Sequence, residues 1–219
     1  MRENFDKRLH QLHAMLMNMA GLVEQIIAMS IKSLEEHDME LAQSAIELDS
    51  KINDAESEIE RLCLKLLLQY QPVFADDLRG VSTALKMITD MERIGDQAAD
   101  IAEINLLLFK ENRNWELDEI SQMARETSKM VSDSIEAYVK LDEELANSVI
   151  KADDNVDRLF DTVKGKVITQ IAEDKSKGEQ AIDTVMIAKY FERIGDHAVN
   201  IAEWVVFSIT GIHKSEKIM

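Results

Sequence analysis

Twelve residues recur almost unchanged one hundred positions apart. Glu92-Arg93-Ile94-Gly95-Asp96-Gln97-Ala98-Ala99-Asp100-Ile101-Ala102-Glu103 returns as Glu192-Arg193-Ile194-Gly195-Asp196-His197-Ala198-Val199-Asn200-Ile201-Ala202-Glu203, identical at nine positions. A repeat at a fixed period marks a duplicated unit, and it constrains the architecture before any single element is assigned. In a chain of 219 residues it leaves room for two related halves, each large enough to bury its own core.

What each half is made of follows from periodicity. The chain has one proline and seven glycines, few aromatics, and many Leu, Ile, Met, Ala, Glu and Lys, the vocabulary of long helices. Leu9, Leu12, Leu16, Met19, Val23, Ile26 and Ile27 keep a three-to-four spacing that predicts an amphipathic helix over about 4–36. His37-Asp38 breaks it. Leu41, Ile52, Ile59, Leu62 and Leu66 carry a second helix to about residue 69, stopped at Gln71-Pro72 because a residue before proline avoids helical geometry. A third, capped by Asp76 or Asp77, runs to about Lys110. The polar link Glu111-Asn112-Arg113-Asn114 divides the chain into 1–112 and 113–219. Helices over about 117–141, 144–173 and 179–210 follow, with Asp142-Glu143 as a capping connection, 174–178 as a polar loop, Gly211 as a C-cap and a loose polar tail. No strand competes. The expected fold is all-α: six long helices in two tandem three-helix bundles related by internal duplication, with a single six-helix bundle as the alternative.

The charge is −17, with 11 basic and 20 acidic residues in 1–110 and 14 and 22 in 111–219. Acidity shared in this way repels phosphate backbones and argues against nucleic-acid binding, while suiting cations or basic partners. A lone cysteine, Cys63, excludes an internal disulfide and reads as core. The polar opening lacks a leader pattern, and the longest approach to an apolar span, Trp204 to Ile209, is too short to cross a bilayer and holds Ser208. The expectation is a cytoplasmic protein with no membrane insertion.

The repeated block holds the candidate chemistry. At about 100° per residue, Glu92, Asp96 and Glu103 fall within about 40° of one another, and Ile94, Ala98 and Ile101 lie on the far side. The acids are therefore expected on an outer or flanking face. The second helix of each half offers a matching row: Asp49, Asn53, Glu56 and Glu60 in the first half, Asp153 and Asp157 in the second, with Asp161 at its edge. Like charges at i,i+4 repel by a few tenths of a kcal/mol per pair. A cation removes that cost, and carboxylate and amide oxygens suit hard metals. A solvated acidic face explains any single pair equally well. His10, His13 and His197 are read as non-ligands. Gly95 and Gly195 suggest a close approach of a neighbouring helix. The phosphate-loop glycine pattern, His-Glu-x-x-His, the Glu-x-x-His of di-iron bundles and any Ser/His/Asp or Cys/His set are absent.

Two Glu-Arg-Ile-Gly-Asp blocks about one hundred residues apart, each on the third helix of a three-helix repeat, resemble the PhoU family of bacterial phosphate-transport accessory proteins. The resemblance covers nearly the whole chain. It implies a cytoplasmic negative regulator of phosphate uptake and of the phosphate-starvation response, a protein without catalytic activity. It also implies contact with the phosphate-transporter ATPase subunit and a phosphate-sensing histidine kinase; separately, a homo-oligomer, a homodimer, is expected. It further implies metal on the acidic rows (iron, manganese, magnesium or zinc). By motif position the ligands would be Asp49, Asn53, Glu92, Asp96 and Glu103 in the first half, and Asp153, Asp157, Glu192, Asp196 and Glu203 in the second. Phe160 stands where Glu56 stands and Asn200 where Asp100 stands, so the second set departs from the first. The competing function classes are a carboxylate-bridged metal-dependent hydrolase and a purely structural dimerising bundle.

Overall fold

Each half closes its first two helices with the same device. In the computed structural model, which describes residues 2–69, 75–110, 118–213 and 216–217, α1 (Arg2–Glu36) ends at His37 with φ 57°. The Asp38 N–H returns to the Ser33 carbonyl at 3.1 Å, and Asp38 Oδ1 accepts from the Leu41 N–H at 3.0 Å, capping α2 (Met39–Gln69). The second half repeats this at Leu141 (φ 52°) and Asp142. The Asp142 N–H reaches the Ala137 carbonyl at 2.9 Å, and Asp142 Oδ1 caps the Leu145 N–H at 2.9 Å. A left-handed residue closes the outgoing helix and an Asp opens the next. Asp142 was expected in this role from sequence; the left-handed His37 and Leu141 were not.

The remaining helices are α3 (Ala75–Lys110), α4 (Asp118–Lys140), α5 (Glu143–Glu173) and α6 (Gly178–Thr210). Gly211, at φ 76°, ends α6 as expected. Three details differ. Helix α3 begins at Ala75, so Asp77 lies inside its first turn instead of capping it. Lys175–Lys177 form a 3₁₀ turn capped by Asp174. Ile212–His213 pair antiparallel with Glu216–Lys217, a two-residue ladder in a region read as a loose tail. The Gln71-Pro72 stop and the polar link at 111–114 lie outside the described residues.

Helices α1, α2 and α3 pack as one bundle, α4, α5 and α6 as another, and α3 lies against α6 to join them. The chain is all-α in the tandem arrangement expected. Core residues come from every helix, among them Leu12, Leu16, Met19, Ile52, Ile59, Ile94, Met123, Val156, Phe191 and Ile201. One feature of α1 escaped the sequence reading: it contains a window long and apolar enough to cross a membrane, by length and composition. Here Leu16, Met19, Val23, Ile26 and Ile27 of that helix are buried in the bundle. Cys63 is buried as expected, and burial pushes its thiol up to about 12.

Candidate cation-binding rows and the seam between the bundles

Close approach of α2 to α3 is set at Gly95. A methyl there would meet Ile52 Cδ1 at 2.9 Å and Asp49 Oδ1 at 3.3 Å. In the second half a methyl at Gly195 would meet Asp153 Oδ1 at 3.2 Å. The glycines therefore let the acid of one helix lie over the backbone of the next. They bring the two rows face to face.

The acids are more enclosed than helical angles alone imply. The Glu92 side chain is 16% exposed and that of Asp96 31%. Asp49 Oδ1, Asn53 Oδ1 and Asp153 Oδ1 are buried and receive no hydrogen bond among the described residues. Asn53 Nδ2 donates to the other Asp49 oxygen at 3.0 Å. The electrostatics agree. Burial, then the nearby Asp96, raise the Asp49 carboxyl. Burial, Asp96, Glu56 and Asp49 raise Glu92, and Arg93 offsets part of that. Burial, then Asp196, Asp157 and Glu192, push Asp153 up to about 6. Burial and Glu192 raise Asp196, against Lys189 and His197. Low dielectric and like charge both disfavour the ionised form.

Asp49, Asn53, Glu92 and Asp96 thus form one neighbourhood, and Asp153, Asp157, Glu192 and Asp196 another. Glu103 and Glu203 sit elsewhere. Glu103 acts on Asp100 and Tyr190, and Glu203 lines a groove against α3. Basic side chains already touch the rows. Arg93 lies 3.4 Å from Glu92 and 3.1 Å from Asp96, and Lys189 pairs with Glu192. Among the described residues no three His, Cys, Asp or Glu side chains are gathered closely enough to enclose a metal ion. The oxygens nevertheless fit a hard cation: several are acceptors without donors, and their mutual repulsion is only partly offset. His10 lies 2.7 Å from the Asp6 carbonyl and His13 sits edge-on to Tyr138, neither near a row.

The seam between α3 and α6 is built from the same repeat. Asp90 Oδ1 lies 2.9 Å from His197 Nδ1 and accepts from Asn200 Nδ2 at 3.1 Å. At the other end Tyr190, the counterpart of Asp90, hydrogen-bonds Asp100, the counterpart of Asn200. The two links are thus related by an approximate two-fold. The sequence reading of His197 as a non-ligand did not foresee this bond to Asp90. The signal available in the sequence was that the repeat differs at 90/190, 97/197 and 100/200, positions that share one face.

A PhoU domain model matches residues 16–104 and again 120–205. The chain belongs to the PhoU family. It is 36% identical over 210 residues to the phosphate-specific transport system accessory protein PhoU homolog of Clostridium acetobutylicum, covering 96% of each chain. It is 30% identical over 207 residues to phosphate-specific transport system accessory protein PhoU of Escherichia coli, covering 94% of this chain and 86% of that one. The crystal structure of PhoU from Pseudomonas aeruginosa superposes with a TM-score of 0.92 at 33% identity, over 95% of this chain and all of that one. The two PhoU domain matches coincide with the two bundles, and each contains one acidic row pair.

Proposed function

We propose that this chain is a regulatory accessory protein of a phosphate transport system, not an enzyme, and that it works by protein contact with cations held on its paired acidic rows. The regulatory reading is supported by PhoU membership over both halves and by relatives named as phosphate-specific transport accessory proteins. The cation reading rests chiefly on the orphaned oxygens of Asp49, Asn53 and Asp153 between helices that Gly95 and Gly195 bring together. Asp49, Asn53, Glu92 and Asp96 would hold the ion in residues 1–112, with Asp153, Asp157, Glu192 and Asp196 in residues 113–219. Glu103 and Glu203 would extend the rows toward the seam. When bound, iron, manganese, magnesium or zinc would supply positive charge that the rows lack. Arg93 and Lys189 would turn away to admit it. The rows would then present a neutralised face to a transporter ATPase subunit or a phosphate-sensing histidine kinase in the cytoplasm, and a homodimer would double that face.

The direction of action is negative, restraining uptake when phosphate is plentiful. Affinity capture from phosphate-replete and phosphate-starved cells tests this. Recovery of the transporter ATPase, stronger in replete cells, is expected; its absence at every phosphate level would overturn the contact mechanism. The hydrolase alternative has less support, because the relatives over nearly the whole chain are named as phosphate-specific transport accessory proteins.

A further inference from the structure

We infer that Lys189 serves the second acidic row as a tethered cation, so that the two rows differ in kind. The first is an open cation site. The second accepts a metal ion only as the Lys189 ammonium leaves it, and it fills after the first. This rests on the cation reading of the rows and adds to it an order of filling that the duplicated motif alone does not suggest.

The basic group of each row comes from a different place. Arg93 pairs at 3.4 Å with Glu92 and at 3.1 Å with Asp96, both on its own helix, and its side chain is 55% exposed. It braces the α3 acids from the solvent side. Lys189 starts one turn earlier on α6, at the place of Thr89, and reaches across to α5. Its Nζ pairs with Glu192 and lies 5.3 Å from the centre of the Phe160 ring. The Lys189 side chain is 35% exposed and that of Glu192 12%. The ammonium is therefore lodged between the two helices whose acids form the row.

Both sides of this contact differ from the first half together. There Thr89 and Glu56 share a hydrogen bond at 3.3 Å; Lys189 and Phe160 stand in their places. Glu56 brings an anionic oxygen that suits a hard metal. A phenyl ring has no lone pair for one, and its face attracts an ammonium. Lys164 also lies over that ring, at 4.8 Å, but Asp161 holds it at 2.6 Å. The charge of Lys189 is felt further along the row, where it opposes the upward push of burial and of Glu192 on the Asp196 carboxyl. Its three donors satisfy one end of the row, while Asp153 Oδ1 stays without a donor among the described residues. An incoming divalent ion must break the charge-assisted Lys189–Glu192 pair, which lowers its apparent affinity.

The test is calorimetric titration of chelator-treated, full-length protein with manganese chloride at neutral pH. It is repeated for Lys189→Met, which keeps the apolar stem and removes the charge, and for Lys189→Arg, which keeps the charge. The Glu92→Ala, Asp96→Ala background isolates the second row. Two unequal steps are expected in the wild type. Lys189→Met should tighten the weaker step about tenfold, the worth of one charge-assisted hydrogen bond, and leave the stronger step unchanged. Lys189→Arg should keep the second step weak. A separate readout needs no binding constant: acetylation of Lys189 by trace acetic anhydride, followed by peptide mass spectrometry. It should be slow in metal-free protein and rise severalfold as manganese fills the second row. Uptake of manganese by neither the wild type nor Lys189→Met would overturn the cation reading and this inference together. Two equal steps in the wild type, a second step that Lys189→Met leaves unchanged, or a Lys189 reactivity that manganese does not alter would overturn this inference and leave the cation reading standing.

Discussion

In the first bundle a buried Asn105 donates to Ser33 Oγ at 2.9 Å and to the Ser30 carbonyl at 3.2 Å, tying α3 to α1. Ser30 adds a bond to the Ala98 carbonyl at 2.7 Å. The matching places in the second bundle are Val205 and Ala137, both fully buried. The rows differ in the same spirit. In the first, Thr89 lies 3.3 Å from Glu56; in the second, Lys189 sits 5.3 Å over the Phe160 ring. Duplication kept the helical frame, the caps, the close glycine contact and one serine of this network. Ser134 matches Ser30, and its hydroxyl turns back to the Val131 carbonyl at 2.7 Å. Asn105 and Ser33 gave way together to Val205 and Ala137. A buried polar group needs a partner, so Asn105 and Ser33 changed together, whereas a serine can stay by bonding a carbonyl of its own helix.

That comparison can be broken by moving single members between halves. The largest effect is expected from Val205→Asn, which buries an amide opposite Ala137 without the hydroxyl that Ser33 gives Asn105; about 3 kcal/mol of stability should be lost in denaturant melts. Asn105→Val should cost only about 1 kcal/mol, since Asn105 Oδ1 is already without a donor among the described residues. Equal losses would mean that the network does not distinguish the bundles.

The glycines come next. Gly95→Ala should destabilise by about 1–2 kcal/mol, as crowding against Ile52 outweighs the gain in helix propensity. Gly195→Ala, which meets only Asp153 Oδ1 closely, should be neutral or stabilise by up to about 1 kcal/mol. Grafting the first row onto the second, with Phe160→Glu and Lys189→Thr together, should raise second-half affinity for manganese by about tenfold, read by calorimetry.

The smallest effect concerns pH. Asp153 has a folded-state value raised to about 6 from an ordinary 3.8. A raised carboxyl contributes stability that is complete below 3.8 and lost as pH climbs through about 6. Metal-free protein should therefore melt higher near pH 4.5 than at pH 7.5 as far as this group is concerned. Asp153→Asn should recover about 1 kcal/mol at pH 7.5, after allowance for solvent screening, and nothing at low pH. A flat difference across that range would remove Asp153 from the account.

Much of the frame was legible because it is local. Six periodic segments became six helices, Asp142 capped α5, and Gly211 closed α6, since spacing and cap chemistry act over a single turn. What sequence could not supply was the identity of the neighbour. Glu92 and Asp96 were placed opposite the apolar stripe, on an outer or flanking face, but how far they would be enclosed could not be read. They are half-enclosed because Gly95 draws α2 over them. Glu103, two turns on, shares their helical angle but meets the α6 side instead. The Asp90–His197 and Asp100–Tyr190 links need the packing of α3 on α6, which no local rule encodes. The apolar window of α1 was missed because polar residues punctuate it.

The most direct test of the facing rows is metal uptake by wild-type protein and by the Glu92→Ala, Asp96→Ala double variant, measured by elemental analysis after equilibration with iron or manganese. The expected result is stoichiometric metal in the wild type and loss of the first-half share in the variant, with helix content intact and the metal-free variant melting no lower. Wild-type protein that takes up no metal, or a variant that unfolds, would contradict the claim that these oxygens are gathered for a cation.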